Sequence, residues 1–512
     1  MKPPDRQSVH LCILQPPGYV HSMALLDAAL YFRHQFRRQG ADATVAKNRL
    51  RIDVPNLVFG AHLGFDPELA RTFCCIFVNL EQLGPSGSRV APRYLDLLRA
   101  SRVIDYDPGN PPAYGRDPAQ VPLIGFGFAP YLEPAAPLLP LDQRPFDLLF
   151  VGSINARRRQ LFERIERTGR TIVLFDGPVY GPERDAFILQ SRAVLNCHHY
   201  DSALFEQVRA FQVLSLGTPL VSERTSRTRP GAAFESAVSW FDDASLERFF
   251  AQEYPAPSFA ARARAQLGAF RAADPADGYA AALCYAFEAQ RAQRRAPAAA
   301  AQRRLHIGSG KDYRAGWLNV DILDSAQPDI RVDLSRPQAW PASFASPFWG
   351  DVQLQAGATD LIYANNVLEH VGDLPTLMRN CLELLRVGGR MIVEVPYHAS
   401  LGAWQDPTHV RAMNENSWLY YTDWFWYLGW FEHRFKVCEL AWLDERLAPC
   451  EKPAGAFMRV TLEKVPTTVA ERMTARTMRP DFGGLIEPVG VASAEPPKSS
   501  PLPALVEARA AA

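Results

Sequence analysis

Short apolar runs alternate with amphipathic stretches through the first 290 residues of the chain. We predict strands in HLCILQP, FCCIFVNLEQL, RVIDYD, FDLLFVGS, TIVLFDG, AVLNCHHY and PLVSE. After the first of these, SMALLDAALYFRHQFRRQG has the spacing of a helix that ends at Gly40. Alternation of strands and helices is typical of parallel α/β sheets. Because the proline-rich stretch APYLEPAAPLLPLDQRP divides the strands into two sets, we predict two lobes, residues 1–135 and 145–286.

The segment after residue 303 shows the same alternation. Strands are predicted at 304–307, 317–321, 329–333, 360–364 and 390–395. The leucines of LPTLMRNCLELLR recur at helical spacing, so a helix is predicted there. Residues 303–465 are therefore expected to form a third α/β domain. An Ala/Arg/Gln-rich stretch predicts a linker at 287–302, and the Pro/Ala/Glu-rich residues 466–512 predict a disordered tail.

The composition argues against several classes of protein. At 512 residues the chain is long enough for two or three domains, and its 55 basic and 55 acidic side chains balance. We therefore expect no nucleic acid partner. Apart from Cys74-Cys75, the eight cysteines are far apart, which is typical of reduced thiols rather than disulfides or zinc ligands. The first ten residues lack the apolar core of a secretory signal, and no apolar run is long enough to span a membrane, so a soluble, cytoplasmic protein is expected.

A glycine turn and two acids follow three consecutive predicted strands. Gly308-Ser309-Gly310 comes directly after the first strand, where a backbone without Cβ atoms can approach a ligand. Asp321 ends the second strand, where its carboxylate can accept hydrogen bonds from both hydroxyls of a ribose, and Asp333 ends the third. Ligands of doubly wound sheets bind at the carboxyl ends of the strands. The three strand ends therefore predict a ligand that contains a nucleoside.

The sequence downstream resembles class I S-adenosylmethionine-dependent methyltransferases. The resemblance rests on TDLIYANNVLEHVGDL and CLELLRVGGRMIVEVPY, with Val387 where the family more often has proline. It implies a Rossmann-like domain with S-adenosylmethionine as the cofactor. The implied contacts to the methionine part, the ribose, the adenine and the sulfonium are, in that order, Gly308, Ser309 and Gly310, then Asp321, then Asp333 and Leu334, then Asn365. Because only residues 311–316 connect the turn to the second strand, the first helix is predicted to shrink to a turn.

Three side chains are candidates for the chemistry of methyl transfer. His370 follows the fourth strand, and Asp406 and His409 share the loop after the fifth, where a base could take a proton from the acceptor. A structural hydrogen bond is an alternative role for each histidine, and Asp406 also suits a turn. Together with Glu369 these residues have the chemistry of metal ligands but no diagnostic spacing, so no metal site is predicted.

The segment SWLYYTDWFWYLGWFEHRF, residues 417–435, is unusually rich in aromatic side chains. We predict that most of them form the core of an inserted helical lid. An apolar floor for the acceptor is the first alternative, because sugars and aromatic rings stack on such faces. A helix on a membrane surface is the second, although few basic residues accompany the aromatic ones.

Residues 145–225 resemble the second lobe of glycosyltransferases of the GT-B fold. The resemblance rests on FDLLFVGSINARRRQLF and on RAFQVLSLGTPLVSE, in which Gln212 stands where an acid is expected. It implies two facing Rossmann-like lobes with a nucleotide-sugar bound to the second. The implied contacts to the diphosphate and the sugar are Gly152, Arg157, Glu206 and Arg209. Since Gln212 carries no charge, we expect the N-terminal half to retain binding of a nucleotide-sugar better than catalytic turnover of it.

Two functional hypotheses follow from these resemblances. In the first, the chain methylates a sugar or a glycan-linked acceptor that the N-terminal half makes or grips. In the second, the methyltransferase acts on a small molecule or a protein, and the N-terminal half is a binding module or scaffold without turnover. The glycine turn with Asp321 and Asp333 favours the first hypothesis, while Gln212 leaves room for the second.

Overall fold

A computed structural model describes residues 7–175, 177–293, 303–480 and 482. These residues divide into two compact units. The first contains the described residues up to Asp333 together with Pro341–Leu354, and the second contains Leu334–Trp340 together with the described residues from Gln355 onward. Among the residues that the structure describes, we find no helix with the length and apolar character that a membrane crossing requires.

Five parallel strands form the first sheet of the first unit. Its elements are β1 (Ser8–Ile13), α1 (Ala24–Arg38), β2 (Asp42–Lys47), β3 (Asn56–Phe59), α2 (Leu69–Thr72), β4 (Cys75–Val78), α3 (Pro92–Ala100) and β5 (Arg102–Ile104). The strand order is β2-β1-β3-β4-β5, a doubly wound order that reverses between β1 and β3. Helix α1 buries Tyr31, Phe32 and Phe36, and the left-handed Gly40 follows its end as predicted.

A second sheet repeats this winding. Its elements are β6 (Phe146–Phe150), α4 (Ala156–Glu166), β7 (Ile172–Val173), α5 (Gly181–Leu189), β8 (Ser191–Asn196), α6 (Gln207–Ser215), β9 (Leu220–Glu223), α7 (Ala232–Glu235), β10 (Ser239–Phe241) and α8 (Leu246–Arg248). The order β7-β6-β8-β9-β10 reverses between β6 and β8, and all pairs are parallel. The two sheets confirm the prediction that the strands of the N-terminal part divide into two parallel α/β sets.

Two helices follow the second sheet, α9 (Pro257–Ala272) and α10 (Ala276–Ala292). Helix α10 returns to the first lobe, where the ring of Tyr279 packs against those of Tyr31, Phe32 and Phe36. Residues 287–292, which the sequence assigned to the linker, form the end of α10. Phe287 and Ala289 are buried there, which stabilises this part of the helix. The rest of the expected linker, 294–302, lies outside the described residues.

The first unit also contains five strands from the predicted third domain, residues 303–465. These strands are β11 (Arg304–Ile307), β12 (Leu318–Asp321), β13 (Ile330–Arg331), β14 (Ala342–Ser346) and β15 (Gly350–Leu354). Strands β13, β12 and β11 are adjacent and parallel, while β14 and β15 form an antiparallel hairpin. No helix separates β11 from β12, as the short spacing predicts.

The first lobe packs on this short connection. The guanidinium of Arg49 lies 3.7 Å from the ring centre of Tyr313 and 4.5 Å from that of Phe348. Leu69 occupies the space that a Cβ atom on Gly316 would need. Residues of the first lobe therefore cover the segment that joins β11 to β12.

The second unit contains a mixed sheet. Its elements are β16 (Thr359–Asn365), α11 (Leu374–Leu384), β17 (Leu385–Pro396), α12 (Gly402–Gln405), β18 (His433–Leu443), β19 (Pro449–Cys450), β20 (Phe457–Pro466) and α13 (Val469–Thr477). Strand β16 runs parallel to β17, and β17, β20, β18 and β19 follow as antiparallel neighbours.

Two regions of this unit differ from the sequence prediction. Residues 469–477, expected within the disordered tail, form α13, which a capping box between Thr468 and Glu471 begins. Residues 481 and 483–512 of the expected tail lie outside the described residues. The aromatic segment forms short 3₁₀ turns rather than a helix: Trp418, Tyr421 and Phe425 are buried, whereas Tyr420, Trp424 and Tyr427 are exposed.

Candidate functional site

The glycine turn after β11 is held by the carboxylate that ends β12. Gly308 and Gly310 both have a positive φ, 59° and 49°, which a residue with a Cβ atom adopts at a cost in strain. The backbone N–H of Gly310 donates to Oδ2 of Asp321 over 2.8 Å, and that of Leu323 donates to Oδ1 over 2.8 Å. Each carboxylate oxygen retains a second lone pair, so Asp321 can shape the turn and still accept a hydrogen bond from a ligand.

The same turn contains a polar group without a partner. Ser309 is buried, and its Oγ atom has no hydrogen-bond partner among the described residues. Beside it, no atom lies within 4 Å of the place where a Cβ atom on Gly310 would stand. A buried hydroxyl, open space at a glycine and an acid at a strand end fit the methionine and ribose parts of S-adenosylmethionine.

The other predicted cofactor contacts also follow strands. Asp333 is half-buried two residues after β13, and Leu334 is buried, with its carbonyl oxygen accepting a hydrogen bond of 2.8 Å from Asn380. Asn365 is the last residue of β16 and is half-buried. The next residue, Asn366, has a φ of 50°, so the chain turns sharply where β16 ends.

Three side chains of the second unit converge after β16, and we refer to Glu369, His370 and His409 as the Glu369 cluster. One ligand-type atom of each side chain lies within 4.8 Å of those of the other two. The imidazole rings of His370 and His409 meet edge to face, with 4.7 Å between their centres. The structure thus brings together two of the three predicted catalytic residues and adds Glu369.

Hydrogen bonds to backbone carbonyls, from the backbone of Val410 and the guanidinium of Arg411, hold the two segments of the Glu369 cluster together. The N–H of Val410 donates to the carbonyl of Glu369 over 2.9 Å, and Arg411 donates to the carbonyls of Val371 and Gly372 over 2.6 and 2.7 Å. These contacts place the loop after β17 against the turn after β16. The sequence could not predict these contacts, because their acceptors are backbone carbonyls that only the folded chain brings near Val410 and Arg411.

Asp406, the third predicted catalytic residue, lies at the edge of the cluster. Its Oδ2 atom is 3.9 Å from Nε2 of His409, and its Oδ1 atom accepts a hydrogen bond of 2.7 Å from Thr408 Oγ1. The side-chain hydrogen bond from Thr408 lowers the pKa of the Asp406 carboxyl. Asp406 is thus ionised at neutral pH and fixes the hydroxyl of Thr408.

Glu369 is the buried acid of the cluster. Its side chain is 2% exposed, and neither carboxylate oxygen has a hydrogen-bond partner among the described residues. Burial raises the pKa of Glu369, and the nearby backbone N–H of Glu369 itself, together with His370 and His409, offsets only part of this effect. A buried, unpartnered acid with a raised pKa is typical of functional sites.

The N-terminal lobes enclose a cleft of about 430 Å³. Gly152, Glu206 and Arg209, three of the four predicted nucleotide-sugar contacts, line it. Gly152 follows β6, so the cleft opens at the carboxyl end of the strand where the sheet reverses its order, the usual place for a ligand. A Cβ atom on Gly152 would stand 3.0 Å from the guanidinium of Arg209, so only glycine leaves this group its room.

The floor of the cleft is an ion cluster of Arg158, Glu206 and Arg209. Glu206 accepts from Arg158 over 2.8 Å and from Arg209 over 2.5 Å. Burial alone would raise the pKa of the Glu206 carboxyl, but the charges of Arg209 and Arg158 outweigh it and hold that pKa below its usual value. The sequence prediction missed Arg158, although its spacing to Leu161, Phe162 and Ile165 already places it on the buried face of α4.

The structure places Arg157, the fourth predicted contact, outside this set. Its guanidinium pairs with Glu223 at the end of β9 and donates to the carbonyl of His198 over 3.0 Å. It does not line the cleft of about 430 Å³. Adjacent positions on a helix point about 100° apart, so Arg157 and Arg158 cannot both face the cleft.

Comparison with known proteins identifies the C-terminal part of the chain. The sequence profile of a family described as "Methyltransferase domain" matches residues 279–441. A probable S-adenosylmethionine-dependent methyltransferase of Mycobacterium tuberculosis, found in two strains, is 26% identical over 134 residues, which are 24% of this chain and 47% of that protein. The matched segment, residues 279–441, thus contains a class I S-adenosylmethionine-dependent methyltransferase domain, with that compound as the implied methyl donor.

Two further similarities add no functional detail. An uncharacterized protein of Acanthamoeba polyphaga mimivirus is 25% identical over 166 residues, 30% of this chain and 50% of that protein. The crystal structure of an S-adenosylmethionine-dependent methyltransferase from Mesorhizobium loti covers 31% of this chain and 90% of its own at 15% identity, with a TM-score of 0.21, too low to support an argument. The chain spans about half the length of the curated relatives it matches.

Proposed function

We propose that the chain transfers a methyl group from S-adenosylmethionine to a hydroxyl of a sugar or glycan-linked acceptor, which the N-terminal lobes bind. The observation that carries the sugar assignment is the cleft between those lobes. Its volume of about 430 Å³ lies within the range of small-molecule sites, and Arg158, Glu206 and Arg209 supply donors and acceptors for phosphate and hydroxyl groups.

The methyltransferase domain would supply contacts to the cofactor and a base for the acceptor. Bound S-adenosylmethionine provides an activated methyl group whose carbon–sulfur bond breaks as the bond to the acceptor oxygen forms. Ser309 and Gly310 would hold its methionine part and Asp321 its ribose, while Asp333, Leu334 and Asn365 remain predicted contacts to the adenine and the sulfonium. The acceptor must lose its hydroxyl proton, and His370 or His409 could take it. The main contribution of the protein is the positioning of the two reactants.

An exposed aromatic ring lies close to His409, one of the two histidines that could take the proton of the acceptor. Trp404 is 69% exposed, and its neighbour Ala403 accepts a hydrogen bond of 2.9 Å from Nδ1 of His409. Trp404 also donates from its indole N–H to the carbonyl of His398 over 3.0 Å, which fixes the ring. A fixed aromatic face next to the Glu369 cluster could support the apolar face of a sugar.

Binding of nucleotide-sugars to the full-length protein tests the sugar assignment. UDP-glucose, UDP-galactose and GDP-mannose would each be titrated by calorimetry at two salt concentrations. We expect Arg209→Ala to weaken binding of the accepted compound about 10- to 150-fold, because a charged hydrogen bond to the diphosphate is lost, and we expect the difference to shrink at high salt.

Arg159→Ala is the matched control, since Arg159 is exposed on the same helix as Arg158. Its affinity should equal that of the wild type. If none of the nucleotide-sugars binds and no glycan shifts the melting temperature, the sugar assignment is wrong.

A second candidate function is methyl transfer to a small molecule or protein, with the N-terminal lobes acting as a binding module without turnover. One observation favours it. The cleft is lined by the acids Asp27, Glu81 and Glu206 and by the arginines Arg158, Arg184 and Arg209, so its charges balance. Each of these arginines pairs with an acid of the lining, which weakens the attraction for a diphosphate. The nucleotide-sugar titration separates the two candidates.

A further inference from the structure

We propose that the Glu369 cluster binds one divalent transition-metal ion, such as Zn²⁺ or Co²⁺, through a carboxylate oxygen of Glu369 and the Nε2 atoms of His370 and His409. All three residues belong to the second unit, and their ligand-type atoms lie within 4.8 Å of one another. Three independent features of the cluster support the site: an unsatisfied acid, two oriented imidazoles and the short distances between the three ligand-type atoms.

The first feature is the carboxylate of Glu369. It is 2% exposed and both of its oxygens are buried without a hydrogen-bond partner among the described residues. Buried acids in proteins are normally hydrogen-bonded, paired with a cation or bound to a metal, because burial of an isolated charge is unfavourable. A cation between Glu369 and the two imidazoles would satisfy this requirement.

The second feature is the orientation of the two imidazoles. Nδ1 of His409 lies 2.9 Å from the carbonyl oxygen of Ala403. A carbonyl oxygen only accepts hydrogen bonds, so Nδ1 carries the proton and Nε2 keeps its lone pair. Metal-bound histidines typically donate from their second nitrogen to a carbonyl or carboxylate in this way.

The same reasoning applies to His370. Its Nδ1 atom lies 2.9 Å from Oγ1 of Thr408, and that hydroxyl is 2.7 Å from Oδ1 of Asp406. Because the carboxylate of Asp406 is ionised and only accepts, the hydroxyl donates to it and accepts from Nδ1–H of His370. Both rings therefore leave Nε2 free as a ligand, and Asp406 acts through Thr408 as a positioning residue.

The third feature is the geometry of the cluster. Two ligands of a tetrahedral ion with bonds of about 2.0–2.2 Å stand roughly 3.3–3.6 Å apart, so movements of about 1.5 Å or less would close the site. His370 is exposed and has room to move. Two imidazoles and one carboxylate favour a first-row transition metal over Mg²⁺ or Ca²⁺, which prefer oxygen ligands. Three protein ligands with an open side resemble catalytic rather than structural metal sites.

The inference deepens the proposed function, on which its catalytic meaning rests. A hydroxyl that coordinates the ion loses its proton to solvent water more readily, since the ion stabilises the alkoxide. His370 and His409 would then serve as ligands instead of bases, and the acceptor would need an oxygen that reaches the metal. Binding of the ion itself requires neither S-adenosylmethionine nor an acceptor.

The test uses the full-length protein after treatment with EDTA and removal of the chelator. Titration with Co²⁺, followed by visible absorbance, and with Zn²⁺, followed by calorimetry, should show one equivalent per chain. His370→Ala and His409→Ala should each abolish the absorbance bands. Thr408→Val, which removes the acceptor for His370 and leaves all three ligands in place, should weaken binding about 10- to 100-fold.

His398→Ala is the matched control, because His398 is exposed on the loop after β17 and is not a member of the cluster. It should bind Co²⁺ as the wild type does. Absence of saturable Co²⁺ and Zn²⁺ binding in the wild type overturns the inference, as does binding that survives both histidine substitutions. Titration with S-adenosylmethionine is a separate measurement, so failure of the metal site and failure of the proposed function give different results.

Discussion

Glu369 lies in an environment that favours its protonated form. Its carboxyl group is buried, no other described residue donates a hydrogen bond to it, and burial raises its pKa above the ordinary value. A proton binds more tightly to such a group in the folded state than in the unfolded chain. The contribution of Glu369 to stability therefore falls as the pH rises from the ordinary glutamate pKa through the raised value in the folded protein.

Glu369→Gln removes this pH-dependent cost while it keeps the size of the side chain. In the presence of EDTA we expect the variant to melt at a higher temperature than the wild type at pH 8, by about 2–4 °C for each kcal/mol gained. At pH 5 the difference should be smaller, because the wild-type carboxyl is then partly protonated. Thermal melts of both proteins at the two pH values check this prediction, and a difference that is independent of pH contradicts it.

Glu383→Gln is a suitable control for these melts. Glu383 lies on α11 and is 40% exposed, where it pairs with Arg379. Its substitution should leave the dependence of the melting temperature on pH as it is in the wild type. A change of equal size in both variants would show that the effect does not come from the burial of Glu369.

Contacts between elements that are far apart in the sequence depend on a few buried residues. Arg49, which follows β2, is 4% exposed and stacks between Tyr313 and Phe348. Its guanidinium also lies 4.0 Å from Asp329, which accepts hydrogen bonds of 2.8 and 2.7 Å from Asn319 of β12. Arg49 thus links the first lobe to the strand that ends at Asp321.

Arg49→Ala should destabilise the protein by about 3 kcal/mol or more, because it leaves the buried charge of Asp329 without its cation and removes two ring contacts. Arg49→Lys keeps the charge, but the lysine side chain cannot stack on the rings in the same way. We therefore expect an intermediate loss of stability. Urea unfolding measures both. Arg71→Ala, at a position 78% exposed, is the control and should change stability by less than about 0.5 kcal/mol. A similarly small change for Arg49→Ala would contradict the role of this contact.

Elements with a strong local signal could be predicted from the sequence. The strand predicted at 304–307 is Arg304–Ile307, and the helix predicted from Leu374 begins there and ends at Leu384. The hairpin of β14 and β15 was missed, because neither strand contains a continuous apolar run. Strand β18 was missed because the aromatic residues before it suggested a helical lid.

The candidate site residues also differ in whether a local sequence signal could identify them. Gly308, Gly310 and Asp321 could be selected as candidates because each stands at or just after the end of a predicted strand. Glu369 could not be recognised as buried and unpartnered, because that depends on the loop around His409, which hydrogen bonds from Val410 and Arg411 to backbone carbonyls hold in place. Arg157 was chosen over Arg158 because the sequence shows three arginines in a row and the packing of α4 decides which one turns inward.

On the scale of the whole molecule, the chain combines a pair of parallel five-stranded lobes with a methyltransferase domain. Both lobes have the same doubly wound order, and their cleft opens where the order of the second sheet reverses. Strands β11, β12 and β13 belong to the same compact unit as the lobes. Experiments on cofactor binding should therefore use the full-length protein.

The central claim is that this chain binds S-adenosylmethionine through the glycine turn and Asp321, and calorimetric titration of the full-length protein tests it most directly. Wild type should bind one equivalent, and Asp321→Ala should lower the affinity about 5- to 150-fold, because the ribose loses its charged acceptor. Asp324→Ala, at an acid three residues away that is 83% exposed, should bind as the wild type does. Absence of binding to the wild type, or equal affinity of the folded Asp321→Ala variant, would contradict the account.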